Sequence, residues 1–174
     1  MIALELSRLY PERIARAVIV NASSRLSKAQ SRLRPAAALE LLRAALSPDS
    51  TRRERRVLGV TSALPASERE PFVCVAAEFV RDAPVSRASV LAQLMAAGRF
   101  SPPARAALRA QLRFVCARND ALVNPRCTRD LASWYGTASV EHPWAGHDLP
   151  LDDPEWLCDR IEEFAAVTPG AGAL

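Results

Sequence analysis

The chain has 174 residues, 49% apolar and 24% charged, which suits one domain able to bury an ordinary core without disulfides. Its net charge of +4 is almost entirely arginine, Lys28 being the only lysine among 23 basic residues. The arginines are spread rather than banked among aromatics, which argues against a nucleic-acid partner, and no run approaches the ~20 apolar residues of a membrane span.

Residues 1–10 carry a helical pattern, with Ile2, Leu6 and Leu9 on one stripe and Glu5, Arg8 and Glu12 on the other. No N-cap precedes that stripe, so the helix is expected to begin upstream in a longer protein. After a turn at Pro11-Glu12-Arg13, Ala15–Val20 reads as a strand buried on both faces, ended by Asn21-Ala22-Ser23-Ser24. Residues 25–110 hold no strand. Helices are predicted there at Pro35–Leu46, Thr51–Val60, Ser67–Arg81 and Ser86–Ala97. Ser67-x-x-Glu70 resembles a capping box, and Gly98 is the expected stop of the last helix. The dense cluster Arg52-Arg53-Glu54-Arg55-Arg56 reads as a solvated helix face.

A second buried strand, Leu112–Ala117, leads into Arg118-Asn119-Asp120. Asn124 then caps, and Pro125 opens, a helix to Tyr135 that stops at Gly136. A weaker strand, Ala138–Glu141, precedes His142-Pro143, and Asp153-Pro154-Glu155 starts a helix through Phe164. Strand, helix, strand, helix is the rhythm of a parallel α/β sheet.

Chemistry is expected at two places. Asp120 and Gly146-His147-Asp148 each lie just past a strand, where open α/β sheets gather functional side chains. An acid that orients a histidine makes two thirds of a catalytic triad. No Gly-x-Ser-x-Gly turn occurs to supply the third part. Ser23 and Ser24 lack flanking glycines and read as a capping pair or the start of the helical block. Cys116 lies in a strand and Cys127 in a helix, so neither is poised to attack. His142, at a strand end before proline, reads as structural or partly exposed. The four cysteines have no Cys-x-x-Cys spacing, and His142, His147, Asp148 and Asp152 lack a recognised ligand spacing, so no metal is expected. Glu5 and Arg8 interrupt the opening apolar stretch and no cleavage site follows, so a cytoplasmic protein is expected.

Three segments carry a family likeness. Met1–Asn21 looks like the helix after a nucleophile turn and its following strand. Phe114–Pro125, with Arg118-Asn119-Asp120-Ala121-Leu122-Val123, is similar to an acid-bearing strand and turn. Ala145-Gly146-His147-Asp148-Leu149-Pro150 looks like a catalytic-histidine loop. Together they resemble the carboxyl-terminal half of a lid-bearing, esterase-like α/β-hydrolase. The resemblance implies a partial α/β-hydrolase fold of about three parallel strands with flanking helices, formed by residues 1–24 and 111–167. Residues 25–110 would be an inserted helical lid and 168–174 a flexible tail. It implies Asp120 as the triad acid, His147 as the base, a nucleophile just upstream of Met1, a small-molecule ester-type substrate in the intact protein, and no cofactor. Trp134, Trp144 and Phe100 are candidate pocket walls, with core packing the favoured reading. The strand Ala15–Val20 would leave an unpaired edge open to self-association. The alternative is a non-catalytic fragment or a helical interaction protein on a hydrolase remnant.

Overall fold

The computed structural model describes residues 1–166, the side chain of Arg87 excepted; the expected tail lies outside the described residues. The elements run α1 (Ile2–Leu9), β1 (Arg16–Val20), α2 (Ala29–Arg32), α3 (Pro35–Ala45), α4 (Ser50–Thr61), α5 (Ala66–Asp82), α6 (Arg87–Arg99), β2 (Gln111–Ala117), α7 (Arg126–Trp134), β3 (Ser139–His142), α8 (Leu149–Asp152) and α9 (Pro154–Ala166). The strands pair in parallel in the order β1-β2-β3, with Ile19 opposite Phe114 and Cys116 opposite Glu141. The β-branched run Val18-Ile19-Val20 suits a strand because branched side chains pack well on a pleated face.

Period-two alternation splits the core into two layers. Ile19 and Phe114 project to one side, where Leu4 of α1 and Leu131 and Ala132 of α7 close over them. Tyr135 stacks on Phe114 there, with ring centroids 5.8 Å apart. Val115 and Ala117 project to the other side and meet Ala145, Leu149 and Leu157. The Arg113 guanidinium lies 5.0 Å over the Phe164 ring, adding α9 to that layer. Helices therefore cover both faces of the sheet, as parallel strands require.

Two expectations about burial are corrected. On β1 only Ile19 is buried, while Val18 and Val20 are half-buried. The strand is at the sheet edge, with β2 as its one partner among the described residues, so its outer side lacks the neighbour that would cover it. On α1 the apolar stripe faces outward: Ile2 is 77% exposed and Leu9 54%, whereas Leu4 and Ser7 are fully buried. Ser7 meets its polar need locally by donating to the Ala3 carbonyl at 2.8 Å. Small Ala3 and Ser7 let the helix approach the sheet closely, which the bulkier stripe would prevent.

Helices α2–α6 occupy the interval between β1 and β2. Asp49 caps α4, accepting from Arg52 N at 2.6 Å. The arginine cluster on α4 is paired with its neighbours: Arg55 with Glu70 of α5, and Arg56 with Glu40 of α3 at 2.8 Å. Ser67 does not cap α5, which begins at Ala66 after Pro65 with no side-chain cap; Glu70 is taken by Arg55 instead. Gly98 does not stop α6 either. That helix runs to Arg99, and its end is closed by the Arg32 guanidinium, which donates to the Ala97 and Gly98 carbonyls. Arg25 N donates to Phe100 O at 2.9 Å, so the two ends of the helical interval are fastened together.

The carboxyl-terminal helices start as their sequence signals imply. Asn124 accepts from Arg126 N at 2.9 Å, and Asp153 accepts from Trp156 N at 3.1 Å. Gly136, at φ 69°, ends the α7 region, and a side chain there would also strike Arg105. Helices α2 and α8, four residues each, are too short to show a period in the sequence.

Candidate active site

The carboxyl ends of all three strands meet at one cluster. Asp120 lies in the turn after β2 and is 1% exposed. Its Oδ1 accepts from Leu122 N and Val123 N, each at 2.8 Å, so the side chain builds its own turn. Its Oδ2 stands 2.8 Å from His147 Nδ1. An ionised carboxylate only accepts, so the ring proton belongs on Nδ1 and Nε2 is left as the acceptor. The His147 side chain is 28% exposed, whereas that of Asp120 is 1% exposed. The two residues singled out in the sequence are thus in hydrogen-bond contact.

Asn21, read from sequence only as the end of β1, holds this cluster together. Its φ of 45° lies in the left-handed region, which asparagine tolerates better than most residues. From there Nδ2 donates to the carbonyls of Gly146 (3.2 Å) and His147 (2.7 Å), while Oδ1 accepts from Ala117 N at 2.8 Å. An amide side chain directly after a buried apolar strand was the available signal.

Asp152, which shows no recognised ligand spacing in the sequence, has a structural place instead. It is buried and accepts from Ser62 Oγ (2.5 Å), Ala63 N (2.8 Å) and Gly146 N (2.6 Å). Gly146 is needed for room: a Cβ there would come within 2.8 Å of Thr61 O and 2.9 Å of Ala63 N, both backbone atoms. Among the described residues no group of three or more His, Cys, Asp and Glu could hold a metal ion. No helix among them is long and apolar enough to cross a membrane.

The remaining candidates fall elsewhere. His142 is structural and fully enclosed: Nδ1 accepts from Ala145 N at 2.8 Å, and Nε2 faces Asp153 at 3.2 Å. Trp144 and Trp156 stand edge-on to its ring. Ser24 is buried in the turn after β1, accepting from Leu26 N. Burial pushes the thiols of Cys116 and Cys127 up, which disfavours a thiolate at either. Trp134 and Trp144 are not core aromatics, being 50% and 40% exposed; Phe100 does pack against the core. A cavity of about 310 Å³ lies between α1 and β1, lined by Ile2, Ala3, Val18 and Val20 among others, and does not include Asp120 or His147.

Burial, and then the charge of Asp152, push the Asp148 carboxyl above its ordinary 3.8. The folded chain therefore holds this proton at pH values where the unfolded chain has released it, and stability falls as pH rises through that window. Asp148→Asn is expected to raise the melting temperature at pH 7 and to leave it unchanged near pH 3, where aspartate is neutral in both states. A gain of the same size at both pH values would show that the charge is not the cause.

No protein-family model and no curated protein sequence matches the chain. Solved structures do. The chain is similar to an alpha/beta hydrolase fold protein from Chitinophaga pinensis, at 17% identity and TM-score 0.64 over 97% of this chain and 62% of that one. It carries part of the α/β-hydrolase fold. It is also similar to the 2-hydroxy-6-oxo-6-phenylhexa-2,4-dienoate hydrolase of Rhodococcus sp. strain RHA1 (19% identity, TM-score 0.65, 94% of this chain and 59% of that one). A thermophilic esterase from Thermogutta terrifontis matches over 94% of this chain and 60% of its own, at 18% identity and TM-score 0.64. The α/β-hydrolase portion seen here therefore spans less than two thirds of these structures.

Proposed function

We propose that the chain is the carboxyl-terminal portion of an α/β-hydrolase acting on small ester-type substrates, with Asp120 and His147 as acid and base of a nucleophile-His-Asp triad. The observation that carries this is the 2.8 Å contact between a buried carboxylate and a half-open imidazole at the carboxyl ends of β2 and β3. On this reading the nucleophile and the donors that stabilise the oxyanion come from a part of the fold outside these residues. His147 Nε2 takes the nucleophile's proton as its oxygen bonds to the ester carbonyl carbon, then returns that proton to the departing alkoxide. Water, deprotonated by the same nitrogen, then bonds to the acyl carbon, the bond to the nucleophile's oxygen breaks, and the proton returns from Nε2 to that oxygen as the acid leaves. Helices α2–α6 act as the lid over the site, and Cys74 and Cys158, exposed and unpaired, suit a reducing cytoplasm.

The test joins the chain in frame to the segment its DNA encodes upstream. The chain alone is expected to be inert toward activated esters and toward a serine-directed phosphonate. The joined protein is expected to be active and to be labelled on an upstream nucleophile. Labelling at Ser23 or Ser24, or a joined protein that stays inert, refutes the assignment.

The same reading has a physical cost for the isolated chain. Backbone groups of Val18 and Val20 face the outer edge of β1, and Ile2, Leu6 and Leu9 stand exposed beside it. Sedimentation of the chain alone is expected to show self-association, which joining to the upstream segment abolishes. A monodisperse monomer would show that the edge is protected.

A further inference from the structure

Asp152 is a buried carboxylate that the proton transfer does not use. Two of its three donors, Ser62 Oγ and Ala63 N, come from the turn between α4 and α5, and the third is the backbone N–H of Gly146, next to His147. On the other side of His147, Asp148 N donates to Thr61 O at 2.7 Å. Both chain neighbours of His147 are therefore bonded, directly or through Asp152, to residues 61–63. The absent Cβ of Gly146 lets the two segments touch backbone to backbone. Asn21 grips the same loop from β1 through the Gly146 and His147 carbonyls. An acceptor serving three donors in a buried site holds them far more tightly than water would.

The geometry points to Asp152 as a positioning residue that locks the α4–α5 turn to the His147 loop, so that displacing this part of the helical insertion reorients the His147 imidazole on Asp120. The meaning of the coupling rests on the proposed role of His147, but its existence does not. It makes residues 61–63 the point through which helices α4 and α5 act on the base without touching it. Arg69, on the first turns of α5, adds to the lock by donating to Ser62 O at 3.2 Å.

The experiment is NMR on the labelled 174-residue chain, at a dilution where sedimentation shows a monomer, following the Gly146 and Ala63 amides together with the His147 Nδ1–H proton. In Asp152→Asn, both amides are expected to exchange with water about tenfold faster or more, and the His147 Nδ1–H with them. Ser62→Ala, which removes one hydroxyl on the insertion side, is expected to move the Nδ1–H in the same direction by less, and it carries the test if Asp152→Asn does not fold. Glu70→Gln, which breaks the exposed pair with Arg55 elsewhere on the same helices, is expected to leave the Nδ1–H unchanged. Faster amide exchange with an unaltered Nδ1–H, in either the Asp152 or the Ser62 variant, overturns the proposal and leaves Asp152 a local structural residue. This readout does not depend on ester cleavage, so an inert joined enzyme would refute the proposed function and leave the coupling standing.

Discussion

In the joined enzyme, His147→Ala is expected to lower kcat by about ten-thousand-fold or more, with little change in KM. On the proposed reading the imidazole accepts the proton for attack and donates it for departure, and alanine removes both steps at once. The geometry leaves no ready understudy. The other histidine, His142, is enclosed between Trp144 and Trp156 and already engaged at both ring nitrogens. On that reading alanine removes no contact that holds the substrate, so the loss belongs in kcat. Steady-state kinetics on an activated ester would decide it. A loss of only about tenfold would mean that a different base works at this site.

Asp120 separates two roles that His147 does not. Asp120→Ala is expected to destabilise the chain by about 3–5 kcal/mol, because it orphans the part-buried N–H of Leu122 and the buried N–H of Val123 as well as the ring N–H of His147. That is a large share of the 5–15 kcal/mol typical of a domain, and on this size of chain a fall in melting temperature of about 10 °C or more. Asp120→Asn keeps an oxygen for the two backbone amides and is expected to stay folded. It presents an N–H or a weaker acceptor to His147 Nδ1, favouring the wrong tautomer, and kcat of the joined enzyme should fall about ten-thousand-fold. Thermal melts separate the two variants, and kinetics on the folded Asp120→Asn protein then read the loss of the acid at His147 by itself. Equal melting temperatures for Asp120→Ala and the parent would show that other contacts, such as Arg34 to the Asp120 carbonyl, hold the turn.

The sequence by itself determined the three strands, the longer helices and the positions of the candidate pair. Val18-Ile19-Val20 and Phe114-Val115-Cys116 are short apolar runs flanked by turn signals, and such preferences are expressed within a few residues of chain. Asn124-Pro125 and Asp153-Pro154 marked helix starts for the same reason, since a cap and its N–H are sequence neighbours. Asp120 and His147 could be paired in advance because each follows a strand, and parallel neighbouring strands end on the same side. Tertiary structure decided everything that depends on which surfaces meet. The helical period of α1 defined a stripe but not its direction, and the small face at Ala3, Leu4 and Ser7 faces the sheet because it permits closer packing. Glu70 formed a pair with Arg55 rather than a cap, since a better partner arrived from the preceding helix. Asp152 shows no role in the sequence beyond a set without ligand spacing, because its partner Ser62 lies 90 positions away. Gly146, part of a recognisable Gly-His-Asp motif, owes its lack of a side chain to the backbone of Thr61 and Ala63. Contacts of that range depend on the whole chain's packing, and no local pattern encodes them.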